Sequence, residues 1–444
     1  MRILEHALEL PWATGSQDLI AYLADLLERS LPPGLVPVRF VITKTSSKGC
    51  LCEVGCIEGL QESGRPVPDP IFHFRRRPVG GVDPFTVVLM VPTGIGAEIG
   101  GHVGDATPAA RVVAAACDRL ITHPNVVNAA DLNEMPPDSL YVEGSVISRL
   151  LMGTLGLLPT RSNRLLVVIH EHDEKKITGY SINAVNAGRA SCGYQIDRLV
   201  RLDSRFRMKA IFTKTGRAAG RIDNLEELLA VLDQHKGEYD AVALSSVIDY
   251  SSEDIVAYYK GADTSVNPWG GVEAMLTHTV TSLYDVPSAH SPQMETTKSM
   301  GIGIGHPTMA AELISAAYLQ CILKGLHQSP RLVTSPAAMS NRQVVTAADV
   351  SCLVMPDRCL GLPVLAALAQ NIPVIAVKDQ TNRMRNDLGT LPWAPGQLHF
   401  AENYLEAAGL LCAMRSGIAL ETLRRPLARV SEKKVATMQP AYLS

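Results

Sequence analysis

No apolar run in this chain reaches the ~18–20 residues that a membrane-spanning helix needs. The first twelve residues, MRILEHALELPW, carry Glu5 and Glu9 and have no apolar signal-peptide core. The expectation is a cytoplasmic protein with no membrane partner. An excess of one charge is also missing. The 41 Lys and Arg against 44 Asp and Glu leave a formal net charge of −3, so nothing draws the whole molecule to nucleic acid or to an anionic surface. Nine cysteines, an odd number without regular spacing, fit reduced thiols rather than a disulfide framework. The one cysteine cluster, Cys50, Cys52 and Cys56, lacks the paired Cys-x₂-Cys spacing of a zinc site. Its readings are small buried or loop residues, or else a metal or redox role.

Several motifs are absent too. There is no G-x-S-x-G elbow, no H-E-x-x-H and no G-x-x-x-x-G-K-[ST] phosphate loop. After Gly94-x-Gly96, Ile99 stands where the dinucleotide fingerprint needs glycine, and Gly100-Gly101-x-x-Gly104 is also irregular. These spacings exclude the usual Rossmann dinucleotide loop and nucleotide hydrolysis by the P-loop route.

What is present is a chain of 444 residues, 46% hydrophobic and 19% charged, the composition of a soluble globular protein too long for one ordinary core. Its organising stretch is residues 85–128. A β-branched run (85–91) leads to a loop with Gly94, Gly96, Gly100, Gly101 and Gly104. An Ala-rich helix opening near Pro108 follows, and then a second apolar stretch at Leu120 and Ile121. Strand, glycine loop, helix and strand make a βαβ unit, and a glycine loop at a helix N-terminus suits an anion.

The same alternation recurs. Residues 17–30 read as an amphipathic helix capped by Ser16, and 36–43 as a strand. Runs at 164–169, 208–213, 240–246, 349–355 and 372–377 read as strands, with helices at 145–158, 224–234, 252–260 and 362–370. Repeated alternation predicts α/β architecture with two Rossmann-like halves, mainly parallel sheets and a cleft between them. Residues 1–80 form a helix/strand segment and arm packed on the first half (81–260), and 261–444 form the second half.

Residues 261–300 show little periodicity and many special residues, among them Trp269 beside two glycines, Glu273, His278 and His290. A long irregular segment often lines a site. The stretch Gly301-x-Gly303-x-Gly305-His306-Pro307 then parallels the first loop, with His306 in the place of His102. Two related loops suggest two related halves.

Histidine amid glycines approaches a ligand closely and titrates near neutral pH, so His102 and His306, with Glu98 and Asp105, are the candidate acid–base residues. Candidate ligand-binding residues are the glycines of both loops, Asn125 after the following strand, Trp269, and Arg383 and Arg385 for a phosphate or carboxylate. His170 and His172, two apart at a strand exit, share a face. They are the candidate metal pair, with a solvated turn as the other reading, and no metal site is assigned. The sequence leaves the cofactor unknown. The partner expected is a small anionic molecule or nucleotide, and a homo-oligomer is compatible with the sequence.

Two resemblances add to this. VPTGIGAEIGGHVGDATPAARVVAA…LITHPNVVNA and PDRCLGLPVLAALAQNIPVIAVKD resemble, over most of the chain, a family of conserved proteins of unknown function, which brings no activity with it. GGHVGDATPAARVVAA and GLPVLAALAQNIPVIAV are locally similar to the two signature regions of two-domain nucleotide-sugar glycosyltransferases. Arg358 and Ala366 stand where that family has glutamates. The expected function is a lyase, isomerase or transferase of small-molecule metabolism. The alternatives are a glycosyltransferase-like enzyme and a non-catalytic ligand sensor.

Overall fold

The computed structural model describes residues 1–12, 18–78, 83–102, 104–129, 131–202, 205–251, 255, 258–259, 261, 265–294, 296, 303–314 and 318–432. Two sheets organise these residues, and they are not alike. One has six strands in the order Leu398–Ala401, Val374–Val377, Val350–Pro356, Thr86–Leu89, Arg119–Thr122, Ser139–Tyr141. Every neighbouring pair in it is parallel. Numbered along the chain this is 6-5-4-1-2-3, the strand order of a doubly wound fold. Thr86–Leu89 is buried at all four positions, as is Val374–Val377. A parallel strand covered on both faces reads as a continuous apolar run for this reason.

The other sheet is mixed, with nine strands in the order Arg198–Leu202, Leu165–His170, Ala241–Asp249, Arg207–Phe212, Ala218–Asp223, Arg2–Pro11, Gly49–Glu58, Val36–Thr45, Leu360–Gly361, and Ser288–Gln293 pairing with Ala241–Asp249 as a tenth. Pairing is parallel around Ala241–Asp249 and antiparallel from Arg207–Phe212 onward. The expectation of two Rossmann-like halves with mainly parallel sheets is therefore corrected. One sheet is parallel throughout, and the other turns antiparallel through two hairpins, 207–223 and 36–58, and through pairings of strands far apart in the chain, such as Arg2–Pro11 with Ala218–Asp223. The sheets also interleave in sequence, since the parallel one draws on 86–141 and 350–401. Leu360–Gly361, just after a parallel strand, pairs with Val41 and Ile42 and stitches the sheets together.

Local sequence explains most helices. Leu19–Ser30 buries Leu19, Ile20, Leu23 and Leu27, and the Asp18 carboxylate caps it by accepting from Ile20 N at 3.0 Å. Ser16, the expected cap, lies outside the described residues, as does most of 252–260. Leu362–Gln370 has Pro363 in its first turn and forms where the pattern placed it.

Residues 261–300 depart from the expected irregular segment. They contain the helix Gly270–Tyr284 and the strand Ser288–Gln293. The helix buries residues on most of its circumference, including Gly270, Gly271, Thr277, Thr279 and Thr281, so it has no polar face to reveal a 3.6-residue period. The two glycine loops also lead to different structures. The first opens the helix Thr107–Ala115, whereas 307–313 is a single short 3₁₀ turn followed by Ala310–Leu313. The three clustered cysteines lie buried on Gly49–Glu58, with Cys50 and Cys52 sulfurs 3.5 Å apart and all nine cysteines free.

Candidate functional site

The strand order of the parallel sheet reverses between Thr86–Leu89 and Val350–Pro356, and a crevice outside the carboxyl ends is the place where such sheets bind ligands. A cavity of about 330 Å³ lies there. Met90, Pro92 and Thr93 line it from the end of one strand, His123 and Asn125 from the next, Glu143 from the third, and Met355 and Cys359 from across the reversal. The mixed sheet supplies Ile248, His290, Ser291 and Gln293. Three helices begin at this wall, Gly144–Leu151, Gly270–Tyr284 and Leu362–Gln370, each contributing its first residues. Their positive dipole ends converge on the cavity.

Two histidine–carboxylate pairs sit in the wall. His278 Nε2 is 2.8 Å from Glu143 Oε1, and His290 Nδ1 is 2.9 Å from Glu273 Oε1. Glu143 also accepts from Ser145 N at 2.8 Å, capping its helix, and from the Ser145 and Thr277 hydroxyls. Burial pushes the Glu143 carboxyl up, but the charge of His278 and the hydrogen bonds from His278 and Ser145 outweigh it, so it ends below the usual carboxylate range. His278 Nδ1 and Gln293 Oε1 are buried and have no hydrogen-bond partner among the described residues. Orphaned polar atoms of this kind call for an occupant.

Arginines supply the positive charge. Arg217, fully buried, holds Glu53 at 2.5 Å through Nε and Glu5 through Nη2. With both carboxylates engaged, Arg39 beside them makes no ion pair among the described residues, and its hydrogen-bond partner is the Gly271 carbonyl at 3.1 Å. Burial and then the Arg217 charge lower the Arg39 guanidinium to about 10, partly offset by Glu5, Glu53 and Glu143, which leaves it a cation at neutral pH. Arg39 and Arg217 both line the cavity.

Of the residues expected from sequence, Asn125, Trp269 and Gly303 reach this wall. Asn125 Nδ2 donates to Val91 O (2.8 Å) and Gly100 O (2.7 Å), so the strand order does bring the residues after Arg119–Thr122 against the first loop. His123 joins them by accepting from Val91 N at 3.1 Å, and burial pushes its imidazole down to about 4. Trp269 packs edge-on against Tyr258, ring centroids 5.2 Å apart.

The glycine loop itself faces protein. Glu98 N donates to Thr381 O, Ile99 N to Gln380 Oε1 and Gly100 N to Asp105 Oδ1, so these amides are already engaged. Gly94 O accepts from Ala218 N at 2.8 Å, joining loop to mixed sheet. Gly104 has φ +85°, and a Cβ there would stand 2.2 Å from Ala129 Cβ. Gly96 and Gly101 are likewise closed in, by Val266 and by the Ala97 carbonyl. The loop thus needs glycine for tight packing, and none of its glycines lines the cavity.

Of the four expected acid–base residues, Glu98, His102 and Asp105 share the first loop, and His306 meets the same pair of tyrosines as His102, donating its backbone N–H to Tyr259 O at 3.4 Å. His102 is buried with Nδ1 2.9 Å from Tyr258 OH, His306 Nδ1 is 2.9 Å from Thr308 Oγ1, and Glu98 is exposed and accepts from Thr381 Oγ1. Asp105 is pushed up to about 7, chiefly by burial. None of the four lines the cavity. Arg383 and Arg385 are exposed and off the wall, their backbone N–H groups bonding Ile95 O and Thr43 O. Gly305 packs on Leu313, and Gly301 lies outside the described residues. His170 and His172 are buried, and among the described residues no group of three His, Cys, Asp or Glu is placed to hold a metal.

Sequence reasoning passed over Arg39, Arg217 and Glu143. Arg39 lies inside the strand Val36–Thr45, Arg217 just before Ala218–Asp223 and Glu143 just after Ser139–Tyr141, and no local spacing marks any of them. Glu273, His278 and His290 stood out as special residues, but the helix and strand that align them did not.

A family described as "Protein of unknown function (DUF3326)" matches residues 86–424. The match begins with the first strand of the parallel sheet and includes Glu143, Glu273, His278 and His290. An uncharacterized lipoprotein of Synechococcus sp. is 31% identical over 335 residues, covering 75% of this chain and 91% of that protein. On this extent of likeness, the chain belongs to the DUF3326 family of proteins of unknown function.

Proposed function

We propose that this protein is an enzyme that binds a small anionic metabolite in the cavity between its two sheets and moves protons on it. The observation that carries the reading is the pairing of an arginine without a carboxylate partner and two histidine–carboxylate pairs in one wall. Arg39 and the three converging helix N-termini would hold a carboxylate or phosphate. Glu273 and His278, on one helix, would give and take protons, which suits a lyase or isomerase, and a transferase uses the same inventory. The reading keeps the expected ligand class and moves its site from the glycine loops to the switch-point cavity. A cytoplasmic location belongs to the proposal and agrees with nine free thiols. No helix among the described residues is long and apolar enough to cross a membrane.

Thermal-shift screening with carboxylates, phosphates, nucleotides and nucleotide sugars tests the reading. A ligand at ~100 times its dissociation constant stabilises by ~2.7 kcal/mol. R39A should abolish that shift, while E273Q and H278N should retain binding and lose turnover. A ligand whose binding ignores Arg39 would overturn the site. Turnover surviving in both E273Q and H278N would overturn the assignment of the proton-moving residues, binding without turnover of any ligand would leave a sensor as the better reading, and a nucleotide sugar as the best ligand would favour the glycosyltransferase alternative.

A further inference from the structure

The turn that leaves the strand Arg119–Thr122 grips one backbone unit by both of its polar groups. Val91 N donates to His123 Nε2 at 3.1 Å, and Asn125 Nδ2 donates to Val91 O at 2.8 Å. Pro124 favours an extended residue before it, and His123 is extended, with φ −131° and ψ 167°. The residue is buried. The imidazole is therefore fixed in place by the protein alone.

The same bond decides which nitrogen carries the proton. An amide N–H needs a lone pair to donate to, so Nε2 is bare and the proton of the neutral ring sits on Nδ1. Nδ1 has no hydrogen-bond partner among the described residues. Unlike His278 Nδ1 it is not shut off from open space, and the space that His123 borders is the cavity. Burial holds the imidazole down at about 4, so the ring stays neutral at neutral pH. Glu143 and His278 are the charged groups that act on it, Glu143 favouring the cation and His278 opposing it. Neither is within ion-pair distance of the ring, and among the described residues the other ionisable wall groups Arg39, Arg149, Glu273 and Glu312 make no bond to it. A neutral imidazole N–H suits an oxygen on which negative charge develops, because it donates a hydrogen bond without surrendering its proton.

The geometry points to His123 Nδ1–H as a catalytic hydrogen-bond donor, and to a substrate that joins a carbonyl group to an anionic group. The inference rests on the proposed function, in which Arg39 holds the anion and Glu273 moves the proton. Glu273 Oε1 is 2.9 Å from His290 Nδ1, and Oε2 has no partner among the described residues. The carboxylate takes a proton from the carbon next to the carbonyl. The electron pair of that C–H bond becomes a new C=C bond, and the π pair of the C=O bond moves onto oxygen. His123 holds the resulting enolate oxygen through Nδ1–H. When carbon regains a proton the carbonyl re-forms and Glu273 is ionised again, so the step needs no oxidant or further reactant.

The test combines long-range ¹H–¹⁵N spectra of the histidine-labelled protein with calorimetry. Oxalate and 2-phosphoglycolate serve as stable mimics of the enolate, with a carboxylate or a phosphate as the anionic group, and acetate and inorganic phosphate are the controls. His123, assigned through H123N, should be the Nδ1–H tautomer at neutral pH, and a bound mimic should shift its Nδ1–H signal. H123Q offers an oxygen where Nε2 stood, so it keeps the Val91 bond and loses the cavity donor. H123N keeps an N–H near the Nδ1 position and loses the Val91 bond. Mimic binding should weaken about tenfold or more in H123Q and less in H123N, whereas a purely structural histidine gives the reverse order. A proton on Nε2, a bound mimic that leaves the signal unmoved, that reverse order, or controls that bind while both mimics fail would each overturn the inference and leave the proposed function standing. The wild-type spectra decide the matter even if a variant does not fold. Should none of the four probes bind, the proposed function is overturned and the inference falls with it.

Discussion

Glu143 joins two helices at the cavity: its Oε2 caps Gly144–Leu151 through Ser145 N at 2.8 Å, and its Oε1 meets His278 of Gly270–Tyr284 at 2.8 Å. One buried carboxylate therefore fixes both the start of a helix and the orientation of a candidate acid–base histidine.

E143Q keeps the cap acceptor and removes the charge. Removing one partner of a buried ion pair costs about 3–5 kcal/mol, and the retained amide should hold the loss to the lower end. The pH dependence has a definite sign. The folded carboxyl lies below its usual range, so its contribution is complete above about pH 4.3 and is lost as pH falls through the folded value. Urea unfolding between pH 3 and 7 should show a smaller acid-side decline in E143Q than in the wild type.

Asp105 behaves in the opposite way. Burial raises it to about 7, so the folded protein holds a proton that the unfolded chain releases near 4. Stability should fall as pH rises from about 4 to 7, and D105N, which can still accept from Gly100 N, should flatten that slope. Equal slopes in the two proteins by thermal unfolding would refute it.

Arg217 neutralises Glu5 and Glu53 where none of the three reaches bulk water. R217M fills similar space but strands two carboxylates, and a loss of about 3–5 kcal/mol is expected from denaturant midpoints. E5Q combined with R217M should recover part of it, because fewer buried charges are left unpaired.

Two glycines give a matched contrast. A Cβ on Gly101 would lie 2.1 Å from the Ala97 carbonyl oxygen, so G101A should destabilise by about 1–3 kcal/mol or more and disturb the loop. Gly179, inside the helix Lys175–Cys192, has nothing within 4 Å of that position, and G179A should stabilise by up to about 1 kcal/mol. Melting temperatures of the two variants check both signs.

The α/β character was legible because parallel strands covered on both faces, such as Thr86–Leu89 and Val350–Pro356, must be apolar along their length. The helix Leu362–Gln370 was legible to the residue because proline marks its first turn and the left-handed Asn371 follows its end. The strands Arg2–Pro11 and Gly49–Glu58 were not, since one alternates charge and apolar residues too irregularly and the other reads as a cysteine cluster. The site was less legible than the fold. His102 drew attention by its glycine neighbours, and several glycines of that loop pack closely on Ala97, Ala129 and Ala218.

The sequence by itself determined the alternating elements, the glycine loop after the first parallel strand and the presence of Glu273, His278 and His290 in one stretch. Local chemistry suffices for these, because burial on two faces, tight turns and capping act over a few residues. Only the tertiary structure decided that the two sheets differ and that Arg39 stands without a carboxylate partner beside Arg217. It also brought Glu143 to His278. Those contacts join strands and helices far apart in the chain, and pairing and long-range packing, which no local pattern encodes, bring them to one wall.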